Sequence, residues 1–171
     1  MSGLDRIDVM ALVWHPDRDE RTPVGRLLEA AKERGDDAAV AMLAADMGAW
    51  APTIAPPADA VVVPVPASAD RPNRLVPALA DAVGESWSLP VFAGLVRERN
   101  TPRLRDLEPA ARPAMAEAAG YRVSEGFGAT TVVLIDDVVL TASTLEHLAQ
   151  VMRRAGVTHV RAVVLARARR S

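Results

Sequence analysis

VVLIDDVVLTASTL, Val132 to Leu145, is the stretch that decides how this chain is read. Thr131 to Ile135 is a continuous β-branched and aliphatic run, the pattern of a strand buried on both faces. Two acids follow, and Asp136 to Ser143 is expected to be a polar loop interrupted by Val138 to Leu140. Helical spacing is predicted from Thr144 to Ala155, with Gly156 as the stop. In open α/β sheets ligands sit beyond the carboxyl ends of the strands, which is where this loop falls. A helix start exposes unpaired backbone N–H groups and the positive end of the helix dipole, and both suit a phosphate. Thr141, Ser143 and Thr144 add hydroxyl donors, and the small side chains of Ala142 and Ser143 let the backbone approach an anion. Asp136 and Asp137 accept hydrogen bonds and suit sugar hydroxyls, directly or through the waters of a magnesium ion. Such a site grips a sugar phosphate by both ends. The competing reading is local: the acids cap Thr141 or a later N–H, and the threonines are ordinary helix caps.

Outward from this stretch the chain alternates strand and helix. Ile7 to Trp14 reads as a first strand, at an edge, and Val24 to Arg34 as a helix stopped by Gly35. Asp36 or Asp37 caps a second helix running to about Trp50. Ala60 to Val65 is a second buried strand. A helix is predicted from near Asn73 to Val83, with Pro77 near its first turn. Leu89 to Val96 reads as a strand, Arg97 to Arg105 as an exposed loop, Leu107 to Ala119 as a helix and Tyr121 to Val123 as a short strand. Val160 to Ala166 closes the chain as a last strand. This order predicts a mainly parallel α/β sheet flanked by helices, with right-handed crossovers.

The chain has 171 residues, half of them hydrophobic, enough for one domain with a sizeable core. A net charge of -2 supplies no global basic field to draw nucleic acid. Lys32 is the single lysine among 20 basic residues. The absence of cysteine excludes disulfides, a thiol nucleophile and a cysteine zinc site. The histidines at 15, 147 and 159 have no partners at metal-ligand spacing. No run is long enough to cross a bilayer, and Asp5, Arg6 and Asp8 are unlike a signal peptide. The expectation is a soluble, cytoplasmic protein.

The Asp136 motif resembles the phosphoribosyl-diphosphate signature of type I phosphoribosyltransferases, a hydrophobic run, two acids, two aliphatics and a Thr-Thr-Gly-Ala-Thr-like loop. Other segments resemble the ComF-type, amidophosphoribosyltransferase-like branch: Gly25 to Met47 with Lys32, Gly35 and Asp36; VVVPVP at Val61 to Pro66; LVRERNTPRLRDL at Leu95 to Leu107; and VVLAR at Val163 to Arg167. The resemblance implies one phosphoribosyltransferase-like domain over residues 1–171, with residues 1–58 as hood and helical cap and 59–171 as core. It implies that Asp136 and Asp137 take the ribose hydroxyls, and that Leu140, Thr141, Ala142, Ser143 and Thr144 wrap the 5-phosphate. Ala67, Ser68 and Ala69 are the implied diphosphate loop, and Arg97 and Arg99 the implied charges over the leaving group. Magnesium enters through the substrate, without a dedicated protein cage. The implied ligands are phosphoribosyl diphosphate or a nucleoside monophosphate, and homodimers are common in such families.

The chain also departs from the family pattern. Leu140 replaces a hydroxyl residue, and Ala142 stands where glycine is usual, a strained choice if that position needs positive φ. DRPNRL, Asp70 to Leu75, replaces the usual Arg-Gly-Phe-Asn-Gln block, and the flexible-loop glutamine is absent at Arg103 and Leu104. The zinc ribbon of many ComF-type relatives is also absent. The alternative expectation is therefore a sugar-phosphate or nucleotide-binding regulatory protein with weak or no turnover, tied by family association to DNA uptake.

Overall fold

β-Branched runs separated by helical segments form one parallel sheet with helices on both faces. The computed structural model describes residues 3–67, 74–97 and 120–168. Its main sheet contains β1 (Arg6–Leu12), β2 (Ala60–Pro64), β5 (Thr131–Val139) and β6 (His159–Arg167), in the order β1-β6-β5-β2 and parallel throughout. A second, antiparallel pair joins β3 (Leu95–Arg97) to β4 (Tyr121–Val123). The helices are α1 (Pro23–Glu33), α2 (Asp37–Trp50), α3 (Leu75–Trp87) and α4 (Ser143–Arg154). Because the main strands are parallel, Leu12, Pro64, Val139 and Arg167 end at one edge, the edge where crossovers leave room for a ligand.

The buried faces divide the helices. Leu28, Leu43, Met47, Leu75, Leu79 and Val83 pack with Val62, Val133, Ile135 and Val163 on one side. Leu145, Leu148 and Met152 pack with Val63, Val132, Leu134, Val160 and Val164 on the other. Successive side chains of a strand point to opposite faces, so β5 and β6 must be apolar on both.

The start of α1 is tied to the end of β1. Thr22 caps the helix by accepting from the Gly25 N–H at 3.0 Å, Pro23 fills the first turn, and the Thr22 hydroxyl donates to the Leu12 carbonyl at 2.5 Å. Gly25 is buried here, and a β-carbon on it would collide with the Val13 carbonyl oxygen. Gly35, at φ 64°, ends the helical path, and Asp36 caps α2 by accepting from Ala38 and Ala39 N–H at 2.9 and 3.1 Å.

Two expectations are corrected. Leu89 to Val96 is not one strand. Val62 donates to the Pro90 carbonyl at 2.9 Å, Phe92 donates to the Val62 carbonyl at 2.8 Å, and the chain then leaves the main sheet to form β3. Gly94 precedes β3, and a side chain there would strike the Phe92 ring and Ser124. The polar loop expected from Asp136 is also shorter. β5 continues through both acids to Val139, because β6 runs beside it and pairs Val138 with Ala166 and Val139 with Arg167. The helix expected over 107–119 lies outside the described residues.

Candidate functional site

The end of β5 sets the two acids apart. Alternation along the strand sends Asp136 and Asp137 to opposite faces. Asp137 is 6% exposed and lies on the α1 side, where its Oδ2 meets the Lys32 ammonium at 2.7 Å. Asp136 keeps partial contact with solvent and accepts the Asp137 N–H through Oδ1 at 2.9 Å. Burial pushes the Asp136 carboxyl up to about 7, and the neighbouring Asp137 charge adds to the rise. The Asp137 N–H bond and Lys32 act in the opposite direction.

The bend beyond the strand is short, Leu140 to Ala142, and α4 starts at Ser143. Leu140 to Thr144 are all partly exposed, so the bend is open rather than packed shut. No side chain caps α4 at Ala142, which leaves its first-turn amides without the usual hydroxyl or carboxylate partner. Thr141 and Ser143 share a hydrogen bond between their hydroxyls at 3.1 Å. Ala142 has φ -73° and ψ 0°, so the strain expected of an alanine at positive φ does not arise. Uncapped amides, the dipole of a twelve-residue helix and clustered hydroxyls form a chemically suitable anion cradle.

Beside the bend is a cavity of about 580 Å³ lined by Leu12, Trp14, Pro16, Leu140, Thr141, Arg167 and Ala168. Its walls come from the ends of β1, β5 and β6. The Trp14 wall is held by a bridge to Arg21, whose guanidinium lies 5.2 Å from the indole centroid. The Leu140 side chain, which carries no hydroxyl, contributes apolar surface to this cavity.

Arg97 ends β3 opposite Tyr121, with its guanidinium 5.9 Å from the ring centroid. Burial pushes the Tyr121 hydroxyl up from its ordinary value, Arg97 pulls it down and Asp136 pushes it up again. Tyr121 therefore lies within the fields of both candidate residues, and its ring is 6.0 Å from that of His147 on α4. Ala67 follows β2 and is partly exposed, on the same edge of the sheet as the acids. Ser68, Ala69, Arg99, Arg103 and Arg105 lie outside the described residues.

Sequence reasoning assigned no site role to Lys32, Tyr121, Trp14 or Arg167. Lys32 stood out as the single lysine of the chain and within the segment Gly25 to Met47, without a site role. Among the described residues, no group of three or more acidic or histidine side chains is placed to hold a metal ion. Asp137 is already paired to the Lys32 ammonium, while Asp136 keeps partial contact with solvent and is the acid of the pair more open to a cation. Among the described residues no helix is long and apolar enough to cross a membrane.

The phosphoribosyl transferase domain model matches residues 92–171, which include β5, the bend, α4 and β6. No curated protein matches the chain. One similar solved structure is described as the allosteric regulatory enzyme of purine biosynthesis, at 21% identity and a TM-score of 0.50, covering 74% of this chain and 26% of that one. A hypoxanthine phosphoribosyltransferase from Staphylococcus aureus aligns at 13% identity and a TM-score of 0.43, covering 75% of this chain and 62% of that one. An adenine phosphoribosyltransferase from Leishmania donovani aligns at 13% identity and a TM-score of 0.43, covering 92% and 74%. The chain thus spans about a quarter of the first of these structures and less than two thirds of the second. The fold is α/β, with a mainly parallel sheet flanked by helices, as in the first of these structures.

Proposed function

We propose that this protein binds phosphoribosyl diphosphate and transfers its phosphoribosyl group to a nitrogen acceptor, releasing diphosphate. The observation that carries the proposal is the junction at the end of β5. Two adjacent acids are followed, after a three-residue bend, by an uncapped helix start with clustered hydroxyls. The match of the phosphoribosyl transferase domain to residues 92–171 supports the same reading.

In this reading Leu140 to Thr144 hold the 5-phosphate through α4 amides and the Thr141, Ser143 and Thr144 hydroxyls. Asp136 and Asp137 accept from the ribose hydroxyls. The diphosphate lies toward Ala67, Ser68 and Ala69, with Arg97 and Arg99 offsetting its charge. Asp136 and Asp137 are the candidate contacts for a magnesium ion, which would supply further positive charge to the leaving group. The acceptor enters the cavity between Trp14, Leu140 and Arg167. The C1–oxygen bond to diphosphate breaks, a C1–nitrogen bond forms, and the acceptor nitrogen loses a proton. No side chain attacks covalently. The protein contributes by fixing both ends of the sugar and excluding water from C1.

Diphosphate release from labelled phosphoribosyl diphosphate tests this, using nucleobases, glutamine and ammonia as acceptors with magnesium present. Turnover with one of them, lost in Asp136→Asn and Asp137→Asn, is the expected result. Absence of both binding and turnover removes the proposal.

One observation favours a second reading, a ComF-type binding or regulatory protein. Leu140 lines the cavity with apolar surface where the family motif carries a hydroxyl, so anion contacts are fewer than an efficient transferase would use. Tight calorimetric binding of phosphoribosyl diphosphate or a nucleoside monophosphate, with no diphosphate release, is the outcome this reading expects.

A further inference from the structure

The contact between Lys32 and Asp137 links the N-terminal helical layer to the acid pair of β5. Elsewhere among the described residues, acids paired with Lys or Arg side chains are held by arginine, for example Arg21 with Glu29, Arg74 with Asp37, Arg153 with Asp5, and Arg161 with Asp8. The chain's single lysine is used at the buried acid of the motif. The two cations differ chemically. Guanidinium is a planar fork that engages both carboxylate oxygens, whereas ammonium is a compact point charge. A point charge can fix a carboxylate without covering it from two sides.

The placement of Lys32 is determined at both ends of its helix. Thr22 ties the start of α1 to the Leu12 carbonyl, and Lys32 lies in the last turn, where the helix carbonyls favour a cation. Its side chain is 33% exposed, and it reaches inward to a carboxylate that is only 8% exposed. Asp136 and Asp137 are adjacent in sequence, so each is in the field of the other's negative charge. A buried acid in that position needs a fixed countercharge to hold one orientation.

We infer that Lys32 is a positioning residue for sugar recognition: it acts through Asp137, holding that carboxylate in the orientation in which it meets a pentose hydroxyl. The inference rests on the functional reading above. Lys32 contacts the acid end of the site and not the phosphate bend. Its loss is therefore felt by a ligand that carries a ribose and ignored by bare phosphate.

Calorimetry with ribose 5-phosphate and with inorganic phosphate separates these. The proteins are wild type, Lys32→Met, Asp137→Asn and the double variant, each checked for folding by circular dichroism and melting temperature. The expected result is ribose 5-phosphate binding weakened about tenfold in Lys32→Met, as for loss of one charge-assisted contact. Phosphate binding stays unchanged, and the double variant binds no more weakly than Asp137→Asn alone. Lys32→Arg, which keeps the charge and alters its shape, is expected to recover part of the loss. It also supplies the comparison if Lys32→Met does not fold. Equal losses for both ligands, no loss for either, or additive losses in the double variant overturn the inference and leave the functional reading standing. Failure of wild type to bind ribose 5-phosphate removes the functional reading, and the inference with it.

Discussion

Asp136 makes a prediction about pH that depends on burial rather than on catalysis. Its carboxyl is raised from 3.8 to about 7. At about 1.4 kcal/mol per unit, the ionised form costs the fold up to about 4 kcal/mol. Partial solvent access at this side chain screens some of that, and about 2 kcal/mol is the expected size. Between about pH 4 and pH 7 the unfolded chain has released the proton while the folded chain retains it. Stability from this group is therefore fully present below about pH 4, falls as the pH rises, and is lost above about pH 7. Asp136→Asn removes the charge and keeps an oxygen to accept the Asp137 N–H, the bond now 2.9 Å long. Urea unfolding followed by tryptophan fluorescence measures both proteins from about pH 4 to about pH 8. The variant should match wild type near pH 4 and exceed it by about 2 kcal/mol near pH 8. Taking the difference cancels the histidines, which titrate in both proteins. A difference that does not change with pH, or a variant less stable than wild type near pH 8, refutes the argument. In the proposed function, a ligand hydroxyl or cation beside Asp136 relieves that cost.

Three further outcomes follow from named contacts. Ala142→Asp places a carboxylate over the uncapped α4 amides; calorimetry should show inorganic phosphate binding at least about tenfold weaker, because the two anions compete for the same donors, while the melting temperature does not fall. Gly25→Ala drives a β-carbon into the Val13 carbonyl oxygen, a backbone atom that cannot step aside, and should lower stability by about 3 kcal/mol in thermal or urea melts. Asp36→Ala removes the acceptor for the Ala38 and Ala39 N–H groups and should cost about 1 kcal/mol in the same assay, with ribose 5-phosphate binding unchanged.

Much of the framework is legible in local residue patterns. The valine run became β2, the spacing after Asp36 became α2 with Asp36 as its cap, and Gly156, at φ 96°, follows α4 as expected. These features depend on neighbours a few residues apart, and hydrophobic period, caps and stops are short-range signals. The order of acids, bend and helix start was legible for the same reason. Other features depended on residues far apart in sequence. β5 runs on through Asp136 and Asp137 because β6 offers it carbonyls and amides as far as Arg167, so a stretch that reads locally as loop is strand. Leu89 to Val96 divides because Val62 takes one half and β4 the other. The cavity gathers Leu12, Trp14, Thr141 and Arg167 from three strand ends. The partner of Asp137 is a lysine on α1, on the opposite side of the sequence from the motif. Local pattern sets which elements form and where they stop. Their register and the side chains that meet across the sheet are decided by long-range hydrogen bonding and burial, which tertiary packing alone supplies.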